Sequence, residues 1–326
     1  MIKLKKPEMF SMAEKGGERS VSKQIGVFFL IFAITMIASS MPAAIIMVNQ
    51  TLEGNLAINP QSTESIINSG EDSRLYLYAM LYGTIITTLG YIGYAKLKEK
   101  RSMASLGFKG NKQLRDYVVG LLIGFAMFSA VVGINLLTGA MTIENNAGNL
   151  GTMGIIYILI YFFGFFFQGA SEEIMVRGYL MVNLGAKNKT ITAIAITSII
   201  FALLHGANPG ISFIALVNLI LIAVFFALYV ICFDNIWGAC AIHSIWNFVQ
   251  GCLYGIEVSG MNIIDTVFNT NSVAGHDLIN GGAFGAEGGL ASTIVIGVSI
   301  ILLLVYMKKK NKFEGTLENS ESNNVL

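Results

Sequence analysis

Charge is scarce in this 326-residue chain. Only 13% of its residues are Asp, Glu, Lys or Arg, and 54% are hydrophobic. Soluble domains carry about 25% charged residues. Lysine and arginine number 21 against 20 acids. With no basic excess there is no electrostatic footprint for nucleic acid, which is excluded as a partner. Cysteine is scarce too: Cys232, Cys240 and Cys252 lie inside or at the ends of apolar runs. No CxxC pair exists, so neither a disulfide framework nor a thiolate zinc site follows. Each cysteine reads as a small buried apolar residue. HExxH is absent, which removes the usual two-histidine zinc helix. No internal repeat is evident, so the inverted-repeat signature of a transporter is missing as well.

What the chain has is long apolar runs. Mean hydropathy is +0.65. Runs of about 18 or more uncharged apolar residues read as membrane spans. Eight candidates emerge, at 25–48, 75–95, 117–141, 153–184, 190–205, 211–233, 236–256 and 290–307. The first exceeds the ~7–15 residues of a signal-peptide core and follows a polar head, so it reads as a retained helix. The expectation is an all-α polytopic membrane protein with eight transmembrane helices.

Basic residues set its orientation. Lys3, Lys5, Lys6, Lys15, Arg19 and Lys23 precede the first helix. Lys96, Lys98, Lys100, Arg101, Lys109, Lys112 and Arg115 lie between the second and third. Lys187 and Lys189 join the fourth to the fifth, and Lys308, Lys309, Lys310 and Lys312 follow the eighth. With eight helices all of these fall on one side, so both termini are expected in the cytoplasm. The other side carries only Arg74, beside Glu53, Glu64, Glu71 and Asp72.

The expected organisation is a cytoplasmic tail at 1–24 and three helices within 25–142, with one outer and one basic inner loop. A four-helix core follows at 153–256, then an outer loop at 257–289, then the last helix and a cytoplasmic tail at 290–326. The outer loop ends in "NGGAFGAEGG", a composition that favours flexible loop over packed structure. The tail from 313 is polar and reads as disordered. Short basic inner loops suit a bacterial plasma membrane.

Charged side chains at membrane depth cost several kcal/mol and mark function. They cluster here in "QGASEEIMVRGYL", where Glu172, Glu173 and Arg177 interrupt an apolar run. His205 ends the fifth helix, and His243 and Asn247 sit in the seventh. The third histidine, His276, falls in the outer loop. At ~1.5 Å per residue, Glu172 stands roughly 18 Å from the inner end of its helix, His205 roughly 22 Å, and His243 and Asn247 roughly 10–17 Å. Antiparallel neighbours would bring all four to one layer.

Glu173 and Arg177 are four apart and share a helix face, as do His243 and Asn247. An ion pair between Glu173 and Arg177 would lower the cost of burying both. Glu172, about 100° round the helix, is then the unpaired acid and suits general-base work on water. Two neutral imidazoles and a carboxamide can supply hydrogen bonds to water and to a developing oxyanion. A carboxylate with two histidines also forms a zinc ligand set with an open position, here Glu172, His205 and His243. Taken singly, each group also reads as structure: a bridge, a helix-end hydrogen bond, or glue between helices.

These residues resemble a known pattern. "EEIMVR" resembles EExxxR, "FALLH" resembles FxxxH and "HSIWN" resembles HxxxN. In that order they resemble the three motifs of the CPBP intramembrane proteases, the CAAX-protease and bacteriocin-processing group related to the CAAX prenyl endopeptidase. The resemblance covers roughly 153–256 and rests on all three motifs together. It implies an intramembrane endopeptidase acting on a membrane-associated peptide or protein, with membrane lipid as its surroundings. It implies that Glu172 activates water with help from His205. His243 and Asn247 would stabilise the oxyanion, with Glu173 and Arg177 behind them and Phe201 packing. Family labels include both metalloprotease and glutamate protease. The sequence leaves zinc open and leans to a metal-free site, because Asn is a poor zinc ligand. Two other classes stay open: a membrane scaffold or regulator, and a proton-coupled transporter.

Overall fold

The structure, a computed structural model, describes residues 4–14, 20–52 and 70–314. Most of the first outer loop (53–69) and nearly all of the polar tail (315–326) lie outside the described residues.

Lipid offers no partner to backbone N–H and C=O groups, so apolar runs must close their hydrogen bonds internally, as helices. The chain is accordingly an all-α polytopic membrane protein. In order, the helices are α1 (Glu8–Ala13), α2 (Val21–Leu52), α3 (Gly70–Leu97), α4 (Gln113–Leu137), α5 (Gly151–Glu173), α6 (Val182–Lys187), α7 (Thr190–Leu204), α8 (Phe213–Phe233), α9 (Trp237–Phe248), α10 (Asp277–Asn280) and α11 (Leu290–Lys309). A π-helical segment, Ile174–Met181, fuses α5 to α6, and another, Val249–Leu253, extends α9. Among the described residues, six helical stretches are long and apolar enough to cross a membrane. Eight were expected. The two that fall short are α7, with 15 residues, and α9, with 12. α7 ends at the site, with His205 as its C-cap, whereas α9 carries His243 and Asn247 and continues past them through its π segment to Leu253.

The stretch through α5 and α6 runs the other way, to 37 residues. At ~1.5 Å per residue it outreaches a ~30 Å hydrocarbon layer. Its excess protrudes at the end where the basic segments gather. There Arg101 donates to Asn183 Oδ1 at 2.9 Å and to the carbonyl of Gly178 at 3.3 Å. Gly178 lies within the π segment, so Arg101 ties that segment to the basic inner loop. The segment 1–24, read as a tail, is partly built in. Lys5 N–H bonds the carbonyl of Lys312 at 2.9 Å, Phe10 is fully buried against Gly185, and Asp234 accepts the N–H groups of Glu8 and Met9. The segments expected on the cytoplasmic side thus meet at one end of the bundle.

The glycine-rich outer loop departs from expectation. It is folded, not loose. Strand β1 (Met141–Asn145) pairs antiparallel with β2 (Phe268–Ser272), Met141 opposite Ser272. Arg74 clamps Asp265 at 2.7 Å. Asn280 and Phe284 are completely buried. The glycines here serve close packing: Gly285, at φ +96°, lies against the backbone carbonyl of Glu257, where a Cβ would clash. Composition alone could not reveal this, because the contacts come from residues distant in sequence.

Small residues also set the helix packing around the site, as expected where lipid-like surfaces gain little from burial. Gly120 and Gly124 of α4 face Gly238, Ala241 and Ile242 of α9 so closely that a Cβ at Gly120 would sit 2.5 Å from the carbonyl of Gly238. Gly169 of α5 faces Ser244 of α9, where a Cβ would lie 2.7 Å from its backbone nitrogen. These contacts press α9 against α5, and therefore His243 and Asn247 toward Glu172.

Candidate active site

Glu172 and Glu173 are the last residues of α5, and the π segment starts directly after them. π segments inside helices recur at functional sites. Arg177 lies within this one and donates to Glu173 Oε1 at 2.9 Å and to the carbonyl of Ala223 at 3.1 Å. Both ion-pair partners have no exposed side-chain surface. The guanidinium lies between the rings of Phe201 and Phe226, 4.6 and 5.3 Å from their centroids, a favourable placement over aromatic faces. The ring of Phe201 also packs on His205, and Phe226 stacks on His243. Phe201 is therefore a packing residue between two polar groups.

Glu173 does more than balance Arg177. Its Oε1 also accepts from His243 Nδ1 at 2.9 Å. The imidazole of α9 is thus held by the carboxylate of α5, a link that the i,i+4 spacing alone did not reveal. His205 forms the C-cap of α7. Its Nδ1 lies 2.8 Å from the carbonyl of Phe201, one of the last-turn carbonyls a helix leaves open.

These bonds assign the ring protons. A carbonyl and a carboxylate only accept, so both Nδ1 atoms carry hydrogen. A neutral imidazole then presents a bare lone pair at Nε2. The sequence reading had two neutral imidazoles donating into the site. In this arrangement they can donate from Nε2 only as imidazolium.

Both Nε2 atoms face Glu172. Its Oε2 lies 3.7 Å from His205 Nε2 and 3.8 Å from His243 Nε2. These gaps are too long for hydrogen bonds. Oε2 is buried and makes no hydrogen bond among the described residues. The other carboxylate oxygen is occupied: Gln168 Nε2 donates to Oε1 at 2.5 Å, and Gln168 Oε1 accepts from Asn247 Nδ2 at 2.8 Å. Gln168 thus ties Glu172 to Asn247 across two helices. It was missed in sequence, although it stands four residues before Glu172 on the same face.

The donor chemistry of Glu172, His205 and His243 suits a divalent cation, but their spacing does not. A tetrahedral zinc site with bonds of about 2.0–2.1 Å has ligand separations near ~3.3 Å, shorter than both observed gaps. Among the described residues no group of three or more His, Cys, Asp or Glu stands so as to hold a metal.

A cleft of about 510 Å³, its open mouth included, leads to this point. His205, His243, Asn247 and Gln168 line its floor, and Ser259 and Glu287 line it from the outer loop. Glu287 was also missed, because a glycine-rich context reads as loop. Its Oε1 accepts from Ser259 N–H and Oγ, both at 2.6 Å. Burial raises its carboxyl above the usual range, against the opposing pull of Ser259, His205 and His243. His276, in the same loop, caps α10 and lies outside the cleft lining.

The comparisons with known proteins agree with the motifs. Residues 154–249 match the family described as type II CAAX prenyl endopeptidase Rce1-like. No curated protein and no solved structure matches the chain. The match begins in α5 and ends just past α9, enclosing Glu172, Glu173, Arg177, His205, His243 and Asn247. Over this segment the chain is similar to the CAAX prenyl endopeptidase family.

Proposed function

We propose that the chain is a glutamate-type intramembrane endopeptidase. The observation that carries this reading is Glu172 Oε2, a buried carboxylate oxygen without a hydrogen bond among the described residues, flanked by two imidazole Nε2 atoms. A water among these three atoms gives one proton to Glu172, the general base. Its second hydrogen points to the lone pair of neutral His205. The water oxygen attacks the scissile carbonyl. His243 acts as imidazolium, with Glu173 behind its Nδ1–H, and directs Nε2–H at the developing oxyanion. Asn247 adds a second donor, since one of its two amide hydrogens engages Gln168 and the other is free. Glu172 then passes its proton to the leaving amine. One water is consumed, one C–N bond breaks, and an acid and an amine leave.

The substrate class follows from the site's place in the membrane and from the family's description: a peptide or the tail of a membrane protein, presented at the bilayer. No step of the reaction runs through a metal, because the spacing of the three donors does not suit one. The scaffold reading has less support, since it gives no reason for two imidazole Nε2 atoms to face one carboxylate oxygen.

The test uses full-length protein in lipid nanodiscs with a farnesylated CAAX-type peptide and a matching unprenylated peptide. Wild type is expected to cleave at least one of them. Glu172→Gln and His205→Ala are expected to lose cleavage at unchanged thermal stability. Equal cleavage by the variants would overturn the proposal.

A further inference from the structure

The cleft contains one carboxylate that the reaction above does not use. Glu287 sits in the outer loop just before α11 and lines the cleft together with the two histidines. It is rigidly placed. Asn218 donates to its backbone carbonyl and to that of Gly289, both at 2.9 Å, and Asn218 Oδ1 accepts from Thr293 at 2.7 Å. Ser259, itself in the left-handed region at φ 50°, supplies two donors to a single oxygen, Oε1. Oε2 has no hydrogen-bond partner among the described residues.

Charge balance makes this carboxylate conspicuous. Glu173 is matched by Arg177. Glu172 is matched by the imidazolium of His243. No lysine or arginine lines the cleft, and Glu287 makes no ion pair among the described residues. An ionised Glu287 is therefore one negative charge in surplus in a poorly hydrated place, a costly arrangement unless a cation comes to it. A carboxylate with one oxygen fixed and the other open to a cleft is also well prepared to receive an N–H donor with directional bonds.

We propose that Glu287 is a substrate-binding residue, the roof of a subsite that takes a positively charged group of the peptide, a lysine or arginine side chain close to the scissile bond. This rests on the reading of the cleft as a peptidase site and deepens it. The subsite explains why the loop is folded onto the cleft: the position of Glu287 depends on close backbone contacts at its neighbouring glycines, Gly285 against the carbonyl of Glu257 and Gly289 against that of Ile279. The resting carboxyl is pushed toward its neutral form by burial, and an arriving cation supplies what the cleft lacks.

The experiment measures binding, not turnover. Full-length Glu172→Gln protein in nanodiscs is titrated with fluorescent nonapeptides in which one position at a time carries lysine or its uncharged near-isostere norleucine. At one position lysine is expected to bind about tenfold tighter, the size of a single charge-assisted contact. Adding Glu287→Gln, which keeps an acceptor for Ser259, is expected to bring the two peptides within about twofold while leaving the norleucine affinity in place. Equal affinity for lysine and norleucine at every position would overturn the proposal without any variant. So would a Glu287→Gln protein that loses affinity for both peptides alike, the mark of a structural role. Cleavage of these peptides by Glu172→Gln at the wild-type rate would instead overturn the proposed reaction, and the binding ratio would still judge the subsite.

Discussion

Glu172 and Glu173 are neighbours in sequence and opposites in environment. Glu173 has no exposed side-chain surface, and its Oε1 receives both Arg177 and His243. Glu172 keeps about a fifth of its side chain exposed, gives Oε1 to Gln168, and turns Oε2 toward two imidazoles; the Oε2 atoms of both residues are without a hydrogen bond among the described residues. The difference arises from helix geometry. One residue is ~100° of rotation, enough to turn one carboxylate into the protein and the other toward the two imidazoles that line the cleft. A buried charge that is paired holds structure; one left open at a cleft is placed for chemistry.

That contrast can be broken in graded ways. The largest effect is expected at Glu172: the Gln variant should lose about 10³-fold in cleavage rate, the scale of a general base, with no change in melting temperature. The opposite pattern is expected next door. Arg177→Met leaves Glu173 buried without its cation and should cost about 3–5 kcal/mol in denaturation. Replacing Glu173 and Arg177 together by methionine should restore much of that stability while activity stays lost, because His243 remains without its acceptor. Recovery of both would remove the role given to Glu173.

Asn247→Ala should reduce kcat by about 10²-fold with little change in KM, as for a lost oxyanion donor. An equal rise in KM would make Asn247 a binding residue instead. The smallest effect is expected from the packing that joins the two helices. Gly169→Val forces α5 away from Ser244 and should cost about 1–3 kcal/mol. It should also lower activity, because His243 and Asn247 move with α9. Loss of stability with full activity would separate helix packing from site geometry.

How far all this was legible in sequence depends on the kind of residue. Glu172, Glu173, Arg177, His205, His243 and Asn247 stood out because polar groups are conspicuous in apolar helices. Their spacing located the Glu173–Arg177 pair. Gln168 stands four residues before Glu172, but an uncharged amide is less conspicuous in an apolar helix than a carboxylate. Gly120 and Gly124 are four apart, the spacing of close helix contacts, and that signal went unused. Glu287 could not be found this way. Its place depends on Ser259 and Asn218, which come from other parts of the chain. The eight helices were countable from hydropathy, but not that α7 and α9 stop short. α7 closes at the His205 cap and α9 passes into a π segment at Val249, neither of which hydropathy registers.

The central claim is that water is activated by Glu172 without a metal step. The most direct measurement is the single-turnover cleavage rate of full-length wild-type and Glu172→Gln protein, each before and after removal of bound metal by chelation. The account expects wild type to keep its rate through chelation and Glu172→Gln to stay about 10³-fold slower in both states. Loss of the wild-type rate on chelation with recovery on adding zinc, or a Glu172→Gln rate within about tenfold of wild type, would contradict it.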